Sequence, residues 1–227
     1  MGELSLAQEV AIWALPVLFA ITLHEVAHGW AAKMLGDPTA MMLGRLSLNP
    51  IKHIDPMGTV LVPALMLVIS KLFGGGLLFG WAKPVPVTWQ NLRRPKRDMA
   101  LVAAAGPLAN LLMGLIWALM GRLGVEIAGG LPWAGTPLFY MGIAGIYMNT
   151  LLMVLNLLPL PPLDGGRVLT GMLPGRLAAR FARIEPYGLL ILVLLLVSGK
   201  LGLVLWPVIS FVARGLGQIA GLPAGVL

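Results

Sequence analysis

The sequence predicts an all-α polytopic membrane protein, a bundle of about four to six transmembrane helices with one short re-entrant segment. Hydrophobic residues make up 58% of the 227 positions and charged residues only 11%, against about 25% charged residues in soluble domains. The length fits a single membrane-embedded domain over 1–227. The sequence contains no cysteine, so a metal site has to be built from histidine and carboxylate ligands.

Apolar stretches predict the spans in chain order. They cover about 7–33, 57–73, 99–121, 138–158 and 187–207. Four of them are near the roughly 20 residues that a helix needs to cross a bilayer. The stretch 57–73 is shorter and precedes a glycine-rich run, so it either spans the membrane or re-enters it. The final stretch, 201–220, contains Pro207 and is interpreted as a frayed continuation or an interfacial segment.

The distribution of basic residues predicts the orientation in the membrane. Lysine and arginine are concentrated in 33–56, 83–98 and 164–186. Because cytoplasmic loops carry an excess of these residues, we place the three segments in the cytoplasm and the N-terminus outside. This topology explains the formal charge of +7 without a nucleic-acid partner. It also requires 57–82 to enter the membrane and return, which makes 74–87 a wall of the functional site.

A metal-binding pattern lies inside the first span. The run His24-Glu25-Val26-Ala27-His28 places two imidazoles four residues apart, on one face of a helix. Both can bind one metal ion, with Glu25 beside them as general base for a water. Ionisable groups are costly within a membrane and mark function there. The pattern therefore predicts metal-assisted hydrolysis within a membrane.

The third metal ligand has two candidates. A catalytic zinc usually has three protein ligands and an open position for water. Asp164 follows a proline-rich segment and precedes two glycines, a pattern that can turn a carboxylate back toward a neighbouring helix. His53 is the other remaining histidine and lies in a polar, proline-bounded loop. We favour Asp164 over His53 and expect one Zn²⁺ per chain.

These residues together resemble the site-2 proteases, the intramembrane zinc metalloproteases of peptidase family M50. The resemblance is carried by the motifs at 24–29, 105–110 and 156–165, and the segments 44–50 and 80–87 are similar to the compact bacterial and archaeal branch, without PDZ or CBS domains. It implies that His24, His28 and Asp164 hold zinc and that Glu25 activates the water. It also implies that Asn156 lies near the scissile peptide.

The resemblance further implies that 74–87 forms a membrane re-entrant β-hairpin that presents an unwound substrate. Gly80, Trp81, Lys83 and Pro84 are the substrate-binding candidates on this segment. Their partner would be an extended stretch of a transmembrane protein or peptide, paired by strand addition.

We therefore expect an intramembrane zinc endopeptidase that cuts in or near transmembrane segments of membrane proteins. The expected location is a prokaryotic cell membrane, with the active site near the cytoplasmic side. A homo-oligomer and a separate regulatory membrane protein both remain open as partners besides substrate and lipid bilayer. The alternatives are a metal-ion transporter, which needs further polar residues along a path across the bilayer, and an inactive scaffold that binds membrane helices.

Overall fold

A computed structural model of the chain describes residues 5–62, 65, 80 and 82–227. Within these residues the chain forms helices and turns, with no β-strand. The helices are α1 (Leu6–Met34), α2 (Thr39–Met42), α3 (Pro95–Ala128), α4 (Pro132–Asn156), α5 (Asp164–Met172), α6 (Gly175–Ala182), α7 (Glu185–Val197) and α8 (Lys200–Ile219). Short helical segments lie at Pro50–His53, Pro56–Leu61 and Trp89–Asn91.

Helices α1, α3, α4 and α8 are each long and apolar enough to cross a membrane. Large apolar side chains on their outer surfaces stay exposed, among them Leu112, Leu119, Leu203 and Phe211. Such a surface is typical of a protein covered by lipid and not of a soluble monomer. The predicted all-α, multi-pass class is therefore confirmed.

The predicted span 187–207 is wrong as one continuous helix. Gly199 adopts a left-handed backbone conformation with φ of +70°, which glycine reaches without the steric cost that a side chain adds. It ends α7 at Val197 and separates it from α8, which begins at Lys200. The stretch 201–220, interpreted as frayed or interfacial, instead belongs largely to α8, a helix of spanning length.

The predicted re-entrant region lies largely outside the described residues. Pro56–Leu61 is helical, and most of the predicted stretch 57–73 lies outside the described residues. The described residues 82–88 have neither helix nor strand. Positions 74–79 and 81 of the predicted hairpin are not among the described residues, so the hairpin stays a prediction.

Helices α3 and α4 pack closely because glycines meet at their crossing. A Cβ atom built on Gly142 would lie 2.4 Å from the Cα atom of Gly121, too close for any side chain there. Small residues at such a crossing let two membrane helices approach closely. Helix α8 then packs beside this pair, with Ala213 and Leu216 against Ile146.

The three basic segments meet at one end of the bundle. The backbone N–H of Arg93 donates to the Leu35 carbonyl at 3.0 Å, joining the end of α1 to the start of α3. A Cβ atom on Gly171 would lie 2.8 Å from the Lys96 carbonyl oxygen, which places α5 at the same end. The cytoplasmic location of this end stays a prediction from the charge pattern.

Asp37 fixes the loops at this end. Its carboxylate is buried and accepts hydrogen bonds from the Thr88 N–H at 2.7 Å and from Asn91 Nδ2 at 3.0 Å. Burial alone would raise the pKa of Asp37, but hydrogen bonds from Thr39, Asn91 and Thr88 outweigh burial and lower the pKa below its ordinary value. The ionised carboxylate thereby connects the end of α1 to the loop before α3.

Candidate active site

The structure brings together the two histidines of α1 and the first residue of α5. The Nε2 atoms of His24 and His28 lie 3.1 Å apart. The Oδ2 atom of Asp164 lies 3.1 Å from the first and 3.3 Å from the second. Within the described residues, these three side chains form the one group of histidine and carboxylate ligands close enough to hold a metal ion.

The proton on His24 is located by the partners of Asn110. The Asn110 Nδ2 atom donates to the Ala20 carbonyl and to Asn149 Oδ1, both at 3.1 Å. A backbone carbonyl only accepts, so the amide orientation is fixed and Asn110 Oδ1 faces His24 Nδ1 at 2.6 Å. Nδ1 must therefore carry the ring proton of a neutral His24. Its Nε2 atom keeps a free lone pair toward the cluster.

His28 is held in the same tautomer by a backbone group. Its Nδ1 atom lies 2.8 Å from the Val102 carbonyl oxygen, which can only accept a hydrogen bond. With the proton on Nδ1, the Nε2 lone pair of His28 also faces the cluster. Such contacts to the far nitrogen are the usual way in which metal-binding histidines are oriented.

The resulting donor set fits a divalent cation. With each ring proton on Nδ1, two imidazole nitrogens and one carboxylate oxygen converge with their lone pairs facing one another, and Asp164 Oδ2 is buried without a hydrogen-bond donor. Lone pairs at about 3 Å repel one another unless a cation or a proton lies among them. Nitrogen and oxygen donors of this kind are ordinary zinc ligands. The three residues therefore fit Zn²⁺.

Glycines allow the helix carrying Asp164 to start close to the preceding turn. A Cβ atom on Gly165 would lie 2.2 Å from the Leu157 carbonyl oxygen, and one on Gly166 would lie 2.3 Å from the Pro161 nitrogen. Any larger residue at either position would push α5 away from the end of α4. The two glycines therefore help to place Asp164 against α1.

Another glycine leaves room for the imidazoles. A Cβ atom on Gly106 of α3 would lie 2.4 Å from His28 Nε2 and 2.7 Å from His24 Cε1. Gly106 and Asn110 are four residues apart and therefore share the face of α3 that meets α1. One residue provides space for the histidines and the other orients one of them.

Glu25 lines a cavity that the three candidate metal ligands also line, but it does not belong to their group. Its Oε2 atom accepts a hydrogen bond of 2.7 Å from the backbone N–H of Val85. The cavity has a volume of about 190 Å³ and is lined by His24, Glu25, His28, Pro84, Val85, Val87, Trp89, Val102, Ala103, Asn156, Pro162, Leu163, Asp164 and Arg167. The carboxylate therefore faces the space next to the candidate metal ligands.

Some of the predicted substrate-binding residues line the cavity and others do not. Asn156 and Pro84 line the cavity, and Asn156 Nδ2 donates to the Leu152 carbonyl at 2.9 Å. Gly80 and Lys83 are exposed and do not line the cavity. The Lys83 backbone instead bonds to the His53 carbonyl at 2.9 Å. Trp81 lies outside the described residues.

His53 is placed apart from the cluster. Its Nε2 atom lies 2.8 Å from the Ser47 carbonyl oxygen, within its own loop, and its ring is buried. The side chain therefore stabilises the 47–53 turn. Of the two candidates for a third ligand, the structure brings Asp164, and not His53, to the pair on α1.

Sequence reasoning did not identify every residue of the site. Asn110 was not among the predicted site residues, yet it contacts His24 directly. The available signal was an asparagine within a span, four residues after a glycine. Arg167 and Trp89 also line the cavity, but neither residue type is unusual at a membrane boundary, so no sequence pattern distinguished them.

Comparisons with known proteins identify the same family that the sequence motifs resemble. Residues 125–199 match the family model described as "Peptidase family M50", a range that includes Asn156 and Asp164. The chain is 37% identical over 198 residues to a Bacillus subtilis protein named "Putative zinc metalloprotease YwhC", covering 86% of this chain and 84% of the relative. It is 30% identical to a Mycolicibacterium smegmatis protein named "Putative zinc metalloprotease Rip2", over 81% of this chain and 66% of the relative. No solved structure matches the chain.

Proposed function

Because this chain is an integral membrane protein of peptidase family M50, the site-2 protease family, we propose that it is an intramembrane zinc endopeptidase. It hydrolyses peptide bonds in or near transmembrane segments of other membrane proteins. The observation that carries this proposal is the convergence of His24, His28 and Asp164 beside Glu25 in one cavity. A transmembrane substrate and the lipid bilayer are the partners that the reaction requires.

His24, His28 and Asp164 would hold the zinc ion through Nε2, Nε2 and a carboxylate oxygen. When bound, zinc supplies a Lewis acid for the scissile carbonyl and lowers the pKa of a bound water to roughly 7. The Nδ1–H groups of the two rings donate to Asn110 Oδ1 and to the Val102 carbonyl, which orients both rings so that each Nε2 atom faces the zinc position.

Glu25 acts as the general base. It accepts a proton from the attacking water and later passes a proton to the leaving amine. The Val85 N–H holds one carboxylate oxygen at 2.7 Å, which fixes the side chain while leaving lone pairs for the water. This bond also connects the position of the base to the segment 82–88, which has neither helix nor strand.

Asn156 and the 82–88 segment bind the substrate in this proposal. One amide N–H of Asn156 is engaged by Leu152, and the second can donate to the oxygen that becomes negative during attack. A substrate helix must unwind before its carbonyls are accessible. The backbone along the cavity wall at Pro84 and Val85, which forms neither helix nor strand, provides a surface for the unwound stretch, and Gly80, Trp81 and Lys83 stay further candidates.

The orientation follows from the charges. We place the basic end of the bundle in the cytoplasm and the N-terminus outside. His28 is six residues from the end of α1, or about 9 Å along the helix, so the site lies near the cytoplasmic surface, where water can reach it. Bacterial relatives support a prokaryotic cell membrane as the location.

The proposal is tested with purified protein in lipid vesicles and a membrane-spanning test peptide. Wild-type protein should cut the peptide at sites located by mass spectrometry, whereas Glu25→Gln should bind zinc but leave the peptide intact. Cleavage that survives in Glu25→Gln would refute the role of Glu25. Zinc flux across sealed vesicles without cleavage would favour a transporter, and zinc binding with neither activity would favour a scaffold.

A further inference from the structure

Arg167 brings a permanent positive charge to the candidate active site. It lies three residues after Asp164 on α5, so the two side chains leave neighbouring positions on one helix face. Its side chain lines the cavity, and among the described residues that do so it is the one lysine or arginine. The mechanism proposed above assigns it no role.

Trp89 holds the guanidinium in place. The Cζ atom of Arg167 lies 5.1 Å from the centre of the Trp89 ring, a distance typical of a cation–π contact. Trp89 also lines the cavity. A contact with the aromatic ring uses the plane of the guanidinium and leaves its N–H edge free to bind an acceptor.

The N–H groups of Arg167 have little competition within the protein. Its closest acidic neighbour is Glu185, with Nη2 and Oε1 3.8 Å apart, beyond hydrogen-bond distance. The two side chains are 37% and 51% exposed, and ion pairs this accessible to water are weak. In the described part of the chain, no acceptor lies within hydrogen-bond distance of this guanidinium. The guanidinium is therefore positioned without an acceptor from the described residues and can bind one from a substrate.

We propose that Arg167 binds the carboxylate of an aspartate or glutamate in the substrate, close to the scissile bond. This inference rests on the proposed function and adds a substrate class to it: transmembrane segments with an acidic residue beside the cleavage site. A guanidinium and a carboxylate form two parallel hydrogen bonds, which a glutamine matches poorly and a lysine opposes by charge. Glu185 competes weakly for the same donors.

A purely structural role for Arg167 is the alternative. The side chain would then only connect α5 to Trp89 and to α7, and its loss would weaken the cleavage of all substrates alike. Charge reversal separates the two roles, because only a residue in contact with the substrate changes the order of preference among substrates.

The experiment uses zinc-loaded full-length protein in lipid vesicles and three membrane-spanning peptides. The peptides differ at one position beside the mapped cleavage site, which holds Glu, Gln or Lys. Wild-type protein should prefer Glu over Lys by about tenfold in kcat/KM, mainly through KM. Arg167→Glu should reverse this order, and Glu185→Gln should strengthen the wild-type preference. The matched control is Arg180→Glu, an exposed arginine on α6 outside the cavity, which should keep the wild-type order.

Binding gives a readout independent of cleavage. In a Glu25→Gln background, fluorescence anisotropy should show the same order of peptide affinities, and the same reversal with Arg167→Glu. If charge reversal impairs folding, Arg167→Gln should abolish the preference for Glu over Gln. An unchanged order of preference in the Arg167 variants would overturn the inference. If wild-type protein cuts no peptide but the binding order holds, the proposed function fails and the role of Arg167 stands.

Discussion

The Oδ1 atom of Asn110 lies 2.6 Å from the Nδ1 atom of His24, joining α3 to the face of α1 that carries the candidate metal ligands. Asn110 is itself held by Ala20 and by Asn149 on α4. One candidate metal ligand is thus oriented by a buried chain of hydrogen bonds across three membrane helices. The interaction sets the ring tautomer as well as its rotation.

Replacing Asn110 with alanine should weaken zinc binding. The His24 ring would lose the acceptor that keeps its proton on Nδ1, and removing such a partner typically costs about 10–100-fold in metal affinity. Zinc dissociation constants from chelator competition measure the effect. The control is Asn49→Ala, because Asn49 lies in a loop and its side chain bonds to Ile51 and not to a candidate metal ligand. A dissociation constant within about twofold of wild type for Asn110→Ala would contradict this role.

Gly106→Ala should abolish zinc binding while keeping the helices. The added methyl group would meet the His28 ring at 2.4 Å, although alanine in place of glycine favours a helix by about 1 kcal/mol. Zinc content and circular dichroism together test this expectation. Gly130→Ala, at a position with nothing within 4 Å of the added atom, should retain zinc. Full zinc content in Gly106→Ala would show that the histidines do not depend on this space.

Asp37 should make stability depend on acidic pH. Hydrogen bonds to the ionised carboxylate lower its folded-state pKa below the unfolded value, so its stabilising contribution is present above the unfolded pKa of about 3.9. It is lost as the pH falls through the lower folded-state pKa. Thermal unfolding in detergent should show Asp37→Asn destabilised at pH 7 by about 1–3 kcal/mol.

The same variant should also flatten the pH dependence. Below about pH 4 the wild-type Tm should fall more steeply than that of Asp37→Asn, so the two curves should approach one another. Glu126→Gln, which removes one partner of an exposed ion pair, is the control at pH 7 and should change the Tm little. Parallel curves for Asp37→Asn and wild type would exclude this origin of acid sensitivity.

Arg45 should support catalysis from outside the cavity. Its Nη2 atom donates to the Lys83 and Pro84 carbonyls at 3.0 and 3.3 Å, and the next residue, Val85, holds Glu25. Arg45→Ala should lower kcat/KM about tenfold with zinc content unchanged. Arg45→Lys should recover only part of the loss, because an ammonium group lacks the rigid, planar set of N–H donors with which a guanidinium contacts both carbonyls. Wild-type kinetics in Arg45→Ala would show that the segment holds its position unaided.

The proximity of the two candidate metal ligands on α1 could be predicted from sequence because their geometry is local. Four residues along a helix bring His24 and His28 together whatever surrounds them. The prolines before Asp164 and the glycines after it favoured that residue as the third ligand. The spans at α1, α3 and α4 were predictable for a similar reason, since hydropathy depends on composition alone.

The remaining features depend on contacts between distant parts of the chain. The hydrogen bonds from His24 to Asn110 and from Val85 to Glu25 join residues 86 and 60 positions apart, and no local pattern indicates them. The break at Gly199 was missed because glycine within an apolar run is compatible with either a continuous membrane helix or a turn. Arg167 reaches the cavity because α5 begins at Asp164. A sequence pattern locates the first residue of a helix only approximately.

Zinc content per chain tests the central claim most directly. Wild-type protein dialysed against a weak chelator should retain one zinc ion per chain, Asp164→Asn should lose it, and His53→Asn should keep it. Elemental analysis by mass spectrometry on folded protein gives the ratio. Retention of zinc by Asp164→Asn, or its loss from folded His53→Asn, would contradict a metal centre formed by His24, His28 and Asp164.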